Sequence, residues 1–108
     1  MLNLYWNNWI WLNEKIATAF KQRDSKVENL MELAVDNYTE MIGSFVNIVA
    51  HAIDDPSEVI EPLNGRERLD FIRGRLNREF AYIQLDALYT EANKKAVSLL
   101  ARNMIKSR

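Results

Sequence analysis

Apolar side chains return every three or four residues along most of this 108-residue chain, and that period restricts the fold more than any other feature. A period near 3.6 gathers side chains on one face of an α-helix, whereas a half-buried strand alternates every second residue. On a helical wheel Leu2, Tyr5, Trp6, Trp9, Leu12, Ile16 and Phe20 share one face, which predicts a first helix over residues 2–22. Asp24 or Ser25 can open a second helix, with Glu28 completing a capping box three residues after Ser25. Val27, Leu30, Met31, Ala34, Val35, Tyr38, Met41, Ile42, Phe45, Val49, Ala52 and Ile53 then line one face, giving a helix over 25–53. It must end before Pro56, because the residue preceding a proline is pushed out of the helical region. Residues 54–65, DDPSEVIEPLNG, read as the one long loop.

The pattern resumes with Leu69, Ile72 and Leu76, a short third helix over 66–74 that Gly74 can stop. A fourth helix over 78–106, capped by Asn77, carries Ala81, Tyr82, Leu85, Leu88, Tyr89, Ala92, Ala96, Leu99 and Leu100 on one face. A single helix running through Gly74 is the alternative boundary, at a cost of about 1 kcal/mol for the glycine. Three long amphipathic helices and a short one close a core by packing on one another, so the expected fold is all-α: an antiparallel bundle of about four helices in one domain, 1–108. Three glycines and two prolines are too few for the turns of an all-β fold.

With no cysteine, disulfides, thiolate metal sites and cysteine nucleophiles are all excluded. A carboxylate-bridged metal centre in a bundle needs Glu-x-x-His pairs. Ile48 stands three residues before the lone histidine, His51, which reads instead as a solvated residue near a helix C-terminus. There is no GxSxG elbow and no glycine-rich phosphate loop. The expectation is a protein that is not an enzyme and takes no cofactor. No apolar run is long enough to span a membrane, and the first residues lack the layout of a secretory signal, so a cytoplasmic protein is expected.

Charge is polarised along the chain. Residues 1–53 hold four Lys/Arg against six Asp/Glu, residues 54–65 none against four, and the last 43 residues ten against five. Arg66, Arg68, Arg73, Arg75 and Arg78 are the densest cluster, and guanidinium forks suit phosphate or carboxylate groups. Local pairing absorbs much of that charge if Asp70 meets Arg66 or Arg73 and Glu79 meets Arg75, and the acidic loop can also fold back on it. A pI of 5.8 is far below the basic values usual for nucleic-acid binders, so nucleic acid or a phosphate ligand ranks as the alternative.

The aromatic residues give the second lead. Trp11 lies about 200° around the helix from Trp9 and shares that side with Leu4. Phe80, Ile83 and Ala87 make another apolar set off the main stripe of the fourth helix, part of it needed to cover the third. Either the bundle wraps these helices more fully, or the patches are a homodimer or partner interface. The expected function is a non-catalytic protein–protein interaction or regulatory module. Leu4, Trp11, Phe80 and Ile83 would make its apolar contacts, and the arginines at 66, 68, 73, 75 and 78 would orient acidic groups of a partner or a second copy.

The run PLNGRERLDFIRGRLNREFAYIQLDALYTEANKK, Pro62 to Lys95, resembles the core of the YpoC-like family of small bacterial proteins, and the aromatic YWNNW opening is compatible with it. The likeness rests on the proline–asparagine loop, the arginine-rich short helix and the AYIQL segment, about a third of the chain. It implies a helical, cytosolic bacterial protein whose gene often lies beside genes for cell-wall synthesis and recombination. It carries no catalytic signature and transfers no functional residue.

Overall fold

A computed structural model describes residues 2–49 and 61–106. They form α1 (Leu2–Lys21), α2 (Val27–Val49), α3 (Gly65–Arg73) and α4 (Glu79–Lys106), with no strand among the described residues. The all-α reading is correct, and each boundary that falls on described residues agrees with the periodicity to within two residues. The end of the second helix at 50–53, His51 and the acidic stretch to Ile60 lie outside the described residues.

Local chemistry sets the breaks. α1 ends in a reversal in which the Asp24 amide donates to the Ala19 carbonyl (2.9 Å) and the Arg23 amide to that of Phe20 (3.2 Å). Arg23 takes the left-handed backbone, φ 54°, that glycine ordinarily supplies at this position. Asp24 then accepts the Lys26 amide at 2.9 Å, and the helix starts at Val27, one residue later than a Ser25–Glu28 capping box requires. The α3–α4 junction is a true break: the Gly74 and Arg75 amides close α3 onto the Asp70 and Ile72 carbonyls. The Arg78 carbonyl, rather than an Asn77 side chain, then takes the Ala81 amide at 3.1 Å.

Side-chain pairings fix the directions. Trp9 meets Tyr89 while Phe20 and Asn13 meet Tyr82, so α1 runs against α4. Asn8 meets Asn37, and the short turn makes α2 antiparallel to α1. Arg68 pairs with Glu91 and Phe71 with Phe80, so α3 runs against α4. The bundle is up–down–up–down, with α1 and α3 on opposite corners, each packed between α2 and α4. Because α3 has only nine residues, α2 and α4 also meet across the diagonal, where Phe45 packs with Ala96 and Leu99.

Every stripe residue whose burial is described is buried or partly buried, and the core continues from Trp9 and Ile16 through Met31, Ala34 and Met41 to Leu85, Leu88 and Ala92, with Ile72 entering from α3. At its centre the Tyr89 ring stacks on Trp9, 4.1 Å between centroids and 6° from parallel, and Tyr38 meets it edge-on at 5.2 Å. The Tyr89 hydroxyl donates to the Ala34 carbonyl and accepts from Asn37 Nδ2 (3.0 Å). Asn37 Nδ2 also reaches the Tyr5 carbonyl (3.0 Å), and Asn37 Oδ1 accepts from Asn8 Nδ2 (3.2 Å).

Removing the Tyr89 hydroxyl leaves Ala34 and Asn37 short of a partner in a buried place. Tyr89→Phe is expected to lower unfolding free energy by about 1–3 kcal/mol in urea melts while leaving helicity unchanged. Burial also holds the Tyr89 and Tyr38 hydroxyls well above the ordinary tyrosine value. Their neutral forms favour the folded state, so this stabilisation is full below the unfolded-state value near 10 and is lost as pH rises beyond it. Circular dichroism melts should be flat with pH from about 7 to 9 and fall steeply above about 10. A stability constant through that upper range would contradict the burial argument.

Candidate interaction surfaces

The antiparallel pairing of α1 and α2 leaves a groove of about 420 Å³ lined by Asn8, Trp11, Leu12, Leu33, Asp36, Asn37 and Glu40. Its floor belongs to the bundle, since Leu12 and Asn37 are buried. Its walls do not: Trp11 is 57% and Leu33 56% exposed, and Leu4, two turns before Trp11, is exposed as well. Asp36 and Glu40 face solvent on the α2 side. Lys15 lies over the Trp11 ring, 5.5 Å from its centroid. An indole with so much surface in water, beside an aliphatic side chain and two carboxylates, has the composition of an interface core rather than of an ordinary wet helix face.

The opposite side of the bundle, α3 with the first half of α4, carries the second cluster. Phe71 and Phe80 pack at 5.6 Å and remain 39% and 47% exposed, with Ile83 more exposed beyond them and Ala87 half-buried. The Arg75 guanidinium sits 4.2 Å from the Phe71 ring centroid and donates to the Phe71 carbonyl at 3.3 Å. The result is a cation held on an aromatic pair at the surface. Phe80 does cover α3 in part, as the second apolar set of α4 requires.

The five arginines do not converge. Arg66 Nε lies 3.6 Å from Glu61 Oε2, so the end of the acidic loop does turn back on the cluster. Arg68 makes a two-pronged contact with Glu91, at 3.2 and 2.7 Å, and caps the Leu63 carbonyl at 3.3 Å. Arg73 reaches Thr39 Oγ1 on α2 at 3.4 Å. Arg75 is stacked as described, and Arg78 is exposed at the entry to α4. The expected local pairs of Asp70 with Arg66 or Arg73, and of Glu79 with Arg75, do not form; the two ion pairs among the described residues join α3 to the preceding turn and to α4. Geometry explains the difference: the spacing allows pairing along a helix, but the brevity of α3 puts Arg68 directly against α4.

Three residues of these surfaces escaped the sequence reading. Leu33 and Phe71 lie off the apolar stripes of α2 and α3, the same signal that marked Trp11, and would have been found by applying it to those helices. Asn37 is the buried polar residue among the described residues, and its spacing of three from Ala34 and four from Met41 places it on their face. Tyr82 finds a partner in Asn13, while the buried Tyr38 hydroxyl, whose residue lines a small pocket with Ile42 and Leu69, has none.

The hydrogen bonds from Arg68 hold the Glu91 carboxyl below the usual carboxylate range. A depressed value contributes stability that is present above the unfolded-state value, near 4.3, and lost as pH falls through the folded one. Glu91 is partly exposed, so the contribution is under about 1 kcal/mol. The stability gap between the native chain and Glu91→Gln should be constant from about pH 6 to 8 and close below about pH 4. A gap unchanged into strong acid would show that the substitution destabilises for a reason other than the lost charge.

Among the described residues no helix is long and apolar enough to cross a membrane, and no three potential metal-ligating side chains come together. No curated protein and no solved structure matches the chain. The model of one protein family, described as YpoC-like protein, matches residues 1–104, so the likeness carried by Pro62 to Lys95 extends through both N-terminal helices. The chain belongs to the YpoC-like protein family.

Proposed function

We propose that this chain is a non-catalytic interaction module of the bacterial cytoplasm, which binds another protein through side chains its own bundle leaves exposed. The observation that carries this reading is Trp11 beside Leu33 at the mouth of the α1–α2 groove, with Asp36 and Glu40 along one wall. An exposed tryptophan next to a well-ordered core is the residue type that most often dominates binding energy when a partner covers it. Leu4 extends the apolar strip along α1. Phe80, Ile83, Arg75 and Arg78 offer the second contact region, while Arg66, Arg68 and Arg73 serve mainly to anchor α3.

The phosphate-binding alternative draws on the same arginines, but two of them already face carboxylates and a third stacks on Phe71. The interaction reading is therefore preferred. Its test is affinity capture from a bacterial lysate with the native chain and with Trp11→Ala and Leu33→Ala, each checked for unchanged helicity. We expect a protein, another copy of this chain included, to be retained by the native bait and reduced at least about tenfold by Trp11→Ala, as interface tryptophans typically show. Retention indifferent to both substitutions, or a nucleic acid as the retained species, would overturn the reading.

A further inference from the structure

Among the described residues, the Tyr38 hydroxyl is the buried side-chain group left without a hydrogen bond. Tyr38 is 3% exposed and meets Tyr89 edge-on, yet the Tyr89 hydroxyl bonds to both Ala34 and Asn37. Glu61, Arg68 and Glu91 supply the charges that act on the Tyr38 hydroxyl, which puts it on the side of α2 that α3 covers. A cavity of about 80 Å³ lies on that side, walled by Tyr38, Thr39 and Ile42 of α2 and by Gly65, Arg66 and Leu69 of α3, with Glu61 beside them. A buried hydroxyl with no partner carries its desolvation cost uncompensated, and atoms that face a cavity forgo close contact. Both penalties fall on the closed seam between α2 and α3.

The same helix is held far better on its other side. Towards α4, Arg68 grips Glu91 with two hydrogen bonds, 3.2 and 2.7 Å, and Phe71 packs on Phe80. The turn that joins the two helices is closed by backbone bonds from the Gly74, Arg75 and Arg78 amides. Towards α2, Arg73 Nη2 stands 3.4 Å from Thr39 Oγ1, an exposed contact beyond the usual length of a hydrogen bond. Arg66, at the cavity, turns to Glu61 rather than to α2. Gly65 and Ile72 are the buried residues among the nine of α3, so little apolar area resists its lifting.

We propose that α3 is a lid, hinged on α4, that lifts from α2 while the rest of the bundle stays folded, and that lifting uncovers Tyr38 and the cavity beside it. In the closed form the hydroxyl is dry and unpartnered, whereas in the open form water solvates it. The orphan group therefore holds the lid close to opening. The firm contacts with α4 keep α3 helical and attached as it moves. Tyr89 has no such effect, since both of its partners belong to α2 and are kept in either form.

The chain has no cysteine, so a single introduced thiol reports alone. Two variants of the full chain carry it at fully buried positions: Ile72→Cys on α3 and, as reference for the main core, Met31→Cys on α2. Both are large-to-small changes, and circular dichroism checks that each is folded. Labelling by an aromatic disulfide reagent in native buffer is expected at least about tenfold faster at Ile72→Cys, with little response to low urea, because the lid opens without global unfolding. Adding Tyr38→Phe to Ile72→Cys should slow its labelling about fivefold or more, since opening no longer solvates a hydroxyl. In the chain without a thiol, Tyr38→Phe should raise the urea midpoint, opposite in sign to Tyr89→Phe. The amides of Leu69 to Arg73 should exchange with solvent more slowly than the lid opens, because α3 stays helical.

Equal labelling at the two thiols would overturn the lid, as would a rate at Ile72→Cys that Tyr38→Phe leaves unchanged. A midpoint lowered by Tyr38→Phe would show that the hydroxyl is satisfied in the folded state, and the cause of opening would be gone. Exchange of the α3 amides as fast as labelling would mean that α3 unfolds instead of lifting, which sinks the hinge. These outcomes are separate from the lysate capture, which tests Trp11 and Leu33 at the α1–α2 groove.

Discussion

The stacked pair of Trp9 and Tyr89, with Asn37 beside it, is the contact on which the rest of the bundle depends. α1 supplies the indole, α4 the phenol and α2 the amide, so three helices meet at one point with specified geometry. Apolar packing alone would let antiparallel helices slide by a turn at modest cost, because leucine, isoleucine and methionine faces tolerate many registers. A buried amide does not. Asn37 must donate to Tyr89 and to the Tyr5 carbonyl and accept from Asn8, and a shift of one turn would strand these groups away from water. The network therefore fixes which turn of α1 lies against which turn of α2 and α4.

That register decides what the surface presents. With Asn8 opposite Asn37, the antiparallel pairing brings Trp11 level with Leu33 and leaves Asp36 and Glu40 at the groove wall. The groove follows from the core polar network as directly as from its own lining residues. It also follows that substitutions in the network act on the groove at a distance, through helix register, whereas exposed residues such as Trp11 act on it alone.

The periodicity of the apolar residues made the four helices legible, because each has a stripe wide enough to identify by spacing and breaks that fall on turn-forming residues. It made the buried set legible too: from Trp9 to Leu99 the predicted faces are the buried ones. Trp11, Leu4, Phe80 and Ile83 were readable as apolar residues off the stripe, and the structure leaves all four exposed. What the spacing could not supply was pairing between elements. Whether Arg68 faces Asp70, Glu91 or solvent depends on where α3 lies against α4, which no local pattern encodes. Asn37 was missed for a related reason: an asparagine among apolar neighbours is ordinarily assigned to the wet side, and its burial makes sense only once Tyr5, Asn8 and Tyr89 are known to converge there.

The two exposed apolar clusters differ in how much they mean. On the α3–α4 side the exposure has a geometric cause. A nine-residue helix buries Ile72 and Gly65 fully and has too little length to cover both Phe80 and Ile83, so part of that surface would be open whatever the protein did. Polar ties compensate at its edges: Arg68 to Glu91, Arg73 to Thr39, and Lys95 to the Glu61 carbonyl. Elements held by few buried apolar contacts open first, so α3 is where the bundle is least stable locally. On the α1–α2 side no such cause exists. Both helices are long, and Trp11, more than half exposed and outside the buried core cluster, could have been a polar residue with little loss to that core. A tryptophan placed where the fold gains nothing from it is the stronger indication of binding. For that reason the groove, rather than the arginine-rich face with its denser charge, anchors the functional reading.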